Sequence, residues 1–197
     1  MTVKPFNKKH VCPWWLCFTF DNPMRRIFHD PVTILGSYVR RGDTAVDIGP
    51  GMGFFTIPLA KLVGPAGKVI AVDIQPRMLS ALAARAQKHG VAAIIRTHLA
   101  EPDSLALREK ADFILAFWMA HEVPDLKKFF SEIRKLMKPQ GWFFLVEPLA
   151  HVSRKDFLQT IDLAKQSGLL MKECPKIRMS QSALFTPDKI ERHEQPL

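Results

Sequence analysis

The stretch VDIGPGMGFFTIPLA, Val46 to Ala60, decides how this chain is read: an apolar run meets three glycines, Gly49, Gly51 and Gly53, and resumes as an apolar segment of helical period. A strand, a glycine-rich turn and a helix in that order make a nucleotide site, because the backbone can turn sharply and approach a ligand only where no Cβ intervenes. The spacing is D-x-G-x-G-x-G, whereas the dinucleotide fingerprint is G-x-G-x-x-G. Asp47, just ahead of the loop, separates the two cofactor classes. A pyrophosphate would meet like charge there, while a ligand carrying an ammonium and a sulfonium would gain charge-assisted hydrogen bonds.

A second acid supports this. KVIAVDI, Lys68 to Ile74, is another apolar run and brings Asp73 to its end. At the carboxyl end of a neighbouring strand, such a carboxylate accepts from both hydroxyls of an unmodified ribose. Asp73 thus reads as a ribose residue and Asp47 as the selector of a cationic nucleoside. The plainer role for both is as strand-end caps.

Outward from this pair, short apolar runs alternate with segments of helical period, the pattern of a parallel sheet covered by helices. The expected strands are Thr44–Ile48, Lys68–Asp73, Ala92–His98, Ala111–Phe117 and Trp142–Glu147. Pro76 sits in the first turn of the helix QPRMLSALAARAQKHG and Gly90 just past its end, while DLKKFFSEIRKLMKPQG stops at Pro139 and Gly141. A further helix over Lys155–Gln166 precedes two strands, Lys172–Met179 and Ala183–Phe185, expected as a hairpin at one sheet edge. The fold class is therefore α/β: a doubly wound, mostly parallel sheet of seven strands with a C-terminal antiparallel edge hairpin. At 197 residues and 47% hydrophobic, the chain fits one domain. Its parts are an N-terminal helical extension over residues 1–31, a core over residues 32–187 and a polar tail over residues 188–197.

The extension, HVCPWWLCFTFDNPMRRIFHDP, is aromatic and has no strand period. Asn22-Pro23 and Asp30-Pro31 each put an N-cap before a proline at N1, so two short helices are expected. Trp14, Trp15, Phe18 and Phe20 would suit a lid that covers a sulfonium and an apolar acceptor, or would simply cover a helix face. Arg25 and Arg26 would suit an acidic substrate, or a solvated helix face. His10, Cys12 and Cys17 lack the spacing of a zinc site, so no metal is expected. Cys12, Cys17 and Cys174 leave an odd thiol under any pairing, which fits a reducing cytoplasm.

Lys plus Arg number 28 against 19 Asp plus Glu, a formal charge of +9 that attracts anionic partners. The basic residues are scattered rather than gathered into an arm, so nucleic acid is the secondary expectation. Lys4, Lys8 and Lys9 precede an apolar stretch, but Pro13, two tryptophans and no small-residue cleavage site speak against a secretion signal. No run approaches the roughly 20 apolar residues of a membrane span.

DIGPGMG, AVDIQPRML and AHEVPD resemble the corresponding motifs of class I S-adenosylmethionine-dependent methyltransferases. Within that family the resemblance is to the small-molecule branch that includes quinone-biosynthesis C-methyltransferases, and it covers about Leu35 to Pro148. It implies a Rossmann-like fold, S-adenosylmethionine as cofactor and S-adenosylhomocysteine as product. Position by position, it implies that Asp47 and Gly49 face the methionine part, with Pro50 and Phe117 also at the cofactor. Gly51 and Gly53 would lie under the ribose, Asp73 would hold its hydroxyls, and Ile74, with Met78 as second candidate, would lie against adenine. The family's third motif, D-A-x-x-L-P, is missing: THLAEPDSLAL offers Glu101 for the adenine amino group if Leu105 marks the register, or Asp103.

In open α/β sheets ligands sit beyond the carboxyl ends of the strands. The fourth strand delivers FWMAHEVPD there, making Trp118, Met119, His121 and Glu122 candidates for the substrate side. Methyl transfer from a sulfonium is a displacement in which the protein chiefly aligns the nucleophile. If the acceptor must lose a proton, His121 is the base of choice, since an imidazole titrates near neutrality. Its plainer role is a helix cap, and His98 is a second candidate. A small-molecule methyltransferase is the first expectation. An RNA or protein methyltransferase is the alternative, disfavoured because the chain has AFWM where amino-methylating enzymes carry an N-P-P-Y tetrad. A non-catalytic S-adenosylmethionine-binding protein is the third.

Overall fold

The apolar runs become strands because helices cover both faces of the sheet they form. The structure is a computed structural model that describes residues 28–188. Its elements are α1 (Pro31–Leu35), β1 (Thr44–Ile48), α2 (Thr56–Val63), β2 (Lys68–Asp73), α3 (Pro76–Lys88), β3 (Ile95–Leu99), β4 (Ala111–Phe117), a 3-10 turn (Ala120–Glu122), α4 (Leu126–Leu136), β5 (Met137–Pro148), α5 (Arg154–Gln166), β6 (Leu169–Glu173) and β7 (Ser180–Pro187). The strands form one seven-stranded sheet in the order β3-β2-β1-β4-β5-β7-β6. β1 to β5 pair in parallel, and β7 runs antiparallel to both β5 and β6.

Burial explains the composition of the strands. β1, β2 and β4 are buried almost throughout, as strands covered on both faces must be, whereas edge strands β3 and β6 are largely half-buried or exposed. On one face Val46, Ile48, Ile114 and Phe143 pack against α4 and α5; on the other Ala45, Phe113, Leu115 and Phe144 pack against α1 and α2. Phe113, Phe130, Phe143, Phe144 and Phe185 are among the side chains wholly removed from solvent, each contributing on the order of 1.5–3 kcal/mol. The apolar face of α4, Leu126, Phe129, Phe130, Ile133 and Leu136, is capped by Asp125, whose Oδ1 accepts from Lys128 N at 2.9 Å.

The expected sheet is present, with shifted boundaries. α1 starts as expected, with Asp30 Oδ2 accepting from Thr33 N at 3.1 Å and Pro31 at the first turn. The helix expected at Asn22-Pro23 and the tail after Asp188 lie outside the described residues. β3 begins at Ile95 rather than Ala92, because residues 91–95 are occupied by turn hydrogen bonds, Ile94 N to Val91 O and Ile95 N to Ala92 O. β5 begins at Met137 rather than Trp142. Ala111 pairs with Met137 but Phe113 with Trp142, so the surplus residues bulge, and the bulge admits Pro139 and Gly141. A Cβ on Gly141 would come within 2.9 Å of Ala111 O. β6 occupies Leu169–Glu173 rather than Lys172–Met179, since Gly168, at φ +83°, turns the chain back directly after α5. β7 extends the short Ala183–Phe185 run to Ser180–Pro187. Among the described residues no helix is long and apolar enough to cross a membrane.

Candidate functional site

From β1 the chain builds outward to β2 and β3, then returns to place β4 on the other side of β1. At such a switch point the connections diverge and leave a crevice beyond the carboxyl ends of the strands. A cavity of about 680 Å³ opens there.

The glycine loop forms its floor, and its three glycines do different work. All adopt left-handed backbone, with φ of +67° at Gly49, +54° at Gly51 and +91° at Gly53. A Cβ on Gly49 would lie 2.8 Å from Met119 Cβ, and one on Gly53 would lie 3.2 Å from Leu82 Cγ. A Cβ on Gly51 would meet nothing within 4 Å. Gly49, Pro50 and Gly51 line the cavity. Gly53, expected beneath a ribose, instead closes the turn by donating from its N to Pro50 O at 3.0 Å and packs over α3.

Asp47 is 2% exposed, and its Oδ2 accepts from Thr56 Oγ1 at 2.6 Å. Thr56 opens α2, so the carboxylate faces the positive end of a helix. Replacing Thr56 by the isosteric valine removes one donor from a buried charge, and should cost about 1–3 kcal/mol of stability. Urea unfolding measures this; an unmoved midpoint would show that the hydroxyl contributes nothing.

Asp73 lies at the end of β2, and its Oδ1 accepts from Gln75 N at 2.9 Å. Burial pushes its pKa from 3.8 up to about 6, with the backbone N–H groups of Gln75 and Ile74 pulling the other way. Ile74 and Met78 lie on the same wall. Glu101 and Ser104 pair through their backbones in a tight turn at the cavity rim. Asp103, in that turn, gives an oxygen to Lys128 Nζ at 3.0 Å, whereas the Glu101 side chain has no hydrogen bond among the described residues. Glu132, which sequence reasoning passed over, braces the turn by accepting from Ser104 Oγ at 2.9 Å and Leu105 N at 2.7 Å.

Seven acids line the cavity, Asp47, Asp73, Glu101, Asp103, Glu122, Asp125 and Glu132; among the described residues no lysine or arginine does. In a chain of net charge +9, this cavity is lined by acids. It disfavours a phosphorylated ligand and favours a cationic one.

The fourth strand supplies the opposite wall. Phe117 packs against Phe55 with ring centroids 4.2 Å apart and the ring planes tilted by 33°. Trp118 has φ +61°, uncommon for so bulky a residue. It is held by its N donating to Val146 O at 2.7 Å, its Nε1 donating to Ser180 Oγ at 2.9 Å, and His29 edge-on at 5.0 Å. Met119, His121 and Glu122 also line the cavity. His121 donates from its backbone N and its ring Nδ1 to the two oxygens of Glu147. Burial alone would lower the pKa of His121, but the Glu147 hydrogen bond and charge, with the charge of Glu122, raise it on balance.

Glu147 and His151 were missed by sequence reasoning, though Glu147 stands one residue before the end of an apolar strand, as Asp47 does, and Asp73 closes its own. His98 is not part of the site: its Nε2 donates to Leu105 O at 2.9 Å, and it borders a separate shallow depression with Arg96 and Arg108. Trp14, Trp15, Phe18, Phe20, Arg25, Arg26, His10, Cys12 and Cys17 lie outside the described residues. Among the described residues no group of three or more His, Cys, Asp or Glu is placed to hold a metal ion.

A ligand carrying a ribose and a positive charge fits these residues, with buried carboxylates on adjacent strands and an open face above Gly51. Comparison with known proteins agrees. Residues 40–190 match the family model described as a methyltransferase domain. Over 110 residues, 55% of this chain, the sequence is 30% identical to the demethylmenaquinone methyltransferase of Lactobacillus johnsonii and covers 45% of that protein, less than half its length. A SAM-dependent methyltransferase from Aquifex aeolicus superposes with a TM-score of 0.81 at 21% identity, over 90% of this chain and 100% of that one. Aeropyrum pernix fibrillarin, solved with natively bound S-adenosyl-L-methionine, superposes with a TM-score of 0.63 at 16% identity, over 80% and 73%. The chain belongs to the methyltransferase-domain family of S-adenosylmethionine-dependent proteins.

Proposed function

We propose that this chain transfers the methyl group of S-adenosylmethionine to a small-molecule acceptor. The observation that carries the reading is the pairing of Asp47 and Asp73 beside a left-handed glycine loop in an acid-lined cavity. The sulfonium supplies an activated methyl, and the protein binds, orients and excludes water. In this reading Asp47, with Gly49 and Pro50, receives the cationic amino-acid end, Gly51 leaves room for the ribose, and Asp73 accepts from its hydroxyls. Ile74 and Met78 cover one face of the adenine, and Glu101, uncommitted where Asp103 is tied to Lys128, takes its amino group. Phe117 and Trp118 form the wall between cofactor and acceptor, with His121 on the acceptor side. Trp14 and Trp15 remain lid candidates.

The likeness to a demethylmenaquinone methyltransferase supports an acceptor with an apolar body, as do walls built from Phe55, Phe117, Met119 and Phe129. Nucleic acid is the second reading, favoured by the +9 charge. The cavity itself lacks the basic side chains that would meet phosphates among the described residues. Calorimetry should register S-adenosylmethionine binding in preference to NAD(H), followed by transfer of radiolabelled methyl to apolar small molecules. Preference for NAD(H) would overturn the cofactor reading, and label entering RNA alone, with steep salt dependence, would overturn the acceptor reading.

A further inference from the structure

The acceptor wall contains a buried carboxylate that cofactor binding leaves without a role. Glu147, at the carboxyl end of β5, is 2% exposed, and both of its oxygens serve one residue. Oε1 accepts from His121 N at 3.1 Å and Oε2 from His121 Nδ1 at 2.5 Å. Burying a carboxylate is costly unless it is paired, and pinning a 3-10 turn by its backbone needs only a neutral acceptor. The second oxygen acts on the imidazole. With Nδ1–H donated to Glu147, the neutral ring carries its lone pair at Nε2, and His121 lines the cavity. No hydrogen bond occupies Nε2 among the described residues. His151, in the loop after β5, lines the same wall with its ring edge-on to His121 at 5.7 Å.

We infer that Glu147 is a positioning residue that holds His121 as general base toward an apolar acceptor bearing an acidic hydroxyl. The inference rests on the methyltransferase reading above. The acceptor's O–H bond breaks with its proton passing to Nε2. The oxygen takes the methyl as the carbon–sulfur bond breaks and its electron pair stays on sulfur. The imidazolium, balanced by Glu147, then returns its proton to solvent past His151.

The cavity's other properties narrow the class. A neutral amine attacks without help, and a thiol of similar acidity to imidazole ionises unaided, so a built base is useful chiefly for a hydroxyl. The acids lining the cavity, Asp47 and Asp73 among them, disfavour an acceptor that arrives as an anion. The groups that face the ring are Glu147 from β5, Glu122 on its own turn and His151 from the following loop. Since the acids outweigh burial and raise its pKa, the base is free only at higher pH, which suits an acceptor more acidic than an alcohol.

The test uses the full chain. In histidine-labelled protein, NMR titration of His121 should show a pKa above 6.5 and a neutral ring protonated at Nδ1. In Glu147→Gln the amide oxygen still accepts from His121 N while its NH2 faces Nδ1, so the pKa should fall and the proton move to Nε2. With S-adenosylmethionine and 2-naphthol as probe, the same variant should lose about 100-fold in kcat, the scale of general base catalysis. Transfer to 2-naphthalenethiol should fall less, and cofactor affinity should stay within about twofold if Glu147 acts only through His121. An ordinary His121 pKa, an Nε2–H ring in the wild type, or no turnover of 2-naphthol by protein that binds the cofactor would each overturn the inference. Failure to bind S-adenosylmethionine would overturn the methyltransferase reading instead.

Discussion

Asp73→Asn is expected to weaken S-adenosylmethionine binding by about tenfold or more while making the ligand-free protein harder to unfold. Both effects follow from one carboxylate. Hydrogen bonds to a charged acceptor contribute about 1.5–3 kcal/mol, and each 1.4 kcal/mol is tenfold in affinity. The amide keeps the oxygen that accepts from Gln75 N and presents a weaker partner to a ribose. The stability effect has the opposite sign. Asp73 has a folded pKa of about 6 against an ordinary 3.8, so the native state binds its proton more tightly than the unfolded chain does. That favours folding below about pH 4, and the advantage is lost as the pH rises through 6. Above 6 the buried charge costs roughly 2–3 kcal/mol, since each unit is 1.36 kcal/mol. Asparagine carries no such charge, so its melting temperature should exceed that of the wild type at pH 8 and converge with it below pH 4. The wild type's own affinity for S-adenosylmethionine should drop as the pH is lowered through 6. Calorimetry and thermal melts over that range check both signs; equal affinity of the two proteins at pH 8 would remove Asp73 from the site.

Gly49→Ala and Gly51→Ala should fail in different ways. At both positions a side chain is forced into left-handed backbone, φ +67° and +54°, at about 1–2 kcal/mol each. At Gly49 the new methyl also strikes Met119 Cβ and Cγ at 2.8 and 2.9 Å, the root of a side chain rather than its mobile end, which adds about 1–3 kcal/mol of overpacking. Gly49→Ala should therefore lower stability by about 2–5 kcal/mol, and cofactor binding should suffer because Met119 and the loop must both shift. At Gly51 the methyl meets nothing within 4 Å and projects into the space assigned to the ribose. Gly51→Ala should keep most of its stability and lose binding by tenfold or more, the scale of one unrelieved close contact. Urea unfolding paired with calorimetry separates the two. Reversed behaviour would mean that the ligand lies over Gly49 rather than Gly51.

The strand-loop-helix unit and its acids were legible because a parallel strand buried on both faces leaves few polar positions, so Asp47 and Asp73 stand out against their neighbours. Glu147 obeys the same logic at the end of WFFLVEP, yet it was passed over, because no glycine loop follows it and its partner His121 is distant in sequence. The start of β5 was misplaced for a different reason. Pro139 and Gly141 are local stop signals for a helix, but the pairing that carries a strand through them as a bulge is supplied by β4, which no local pattern records. Gly53 was given a ligand role by its place in the motif, when its neighbours Leu82 and Ile57, one of them on α3, explain it through packing. His98 sat at a strand end like the cavity-lining Asp47 and Asp73, but on edge strand β3, two strands away from the switch point.

The sheet order has a consequence for how the molecule is made. β7 is the last described strand in sequence, yet it is wedged between β5 and β6, pairing Phe143 with Phe185 and Phe144 with Leu184. While the chain emerges from the ribosome, the lateral edge of β5 therefore stays bare until residues 180–187 have been synthesised, and β6 waits without a neighbour. The β3-β2-β1-β4 half can consolidate early from neighbours in sequence, whereas the β5-β7-β6 half closes only at the end, making nascent chains stalled before Ser180 the species most exposed to aberrant strand pairing.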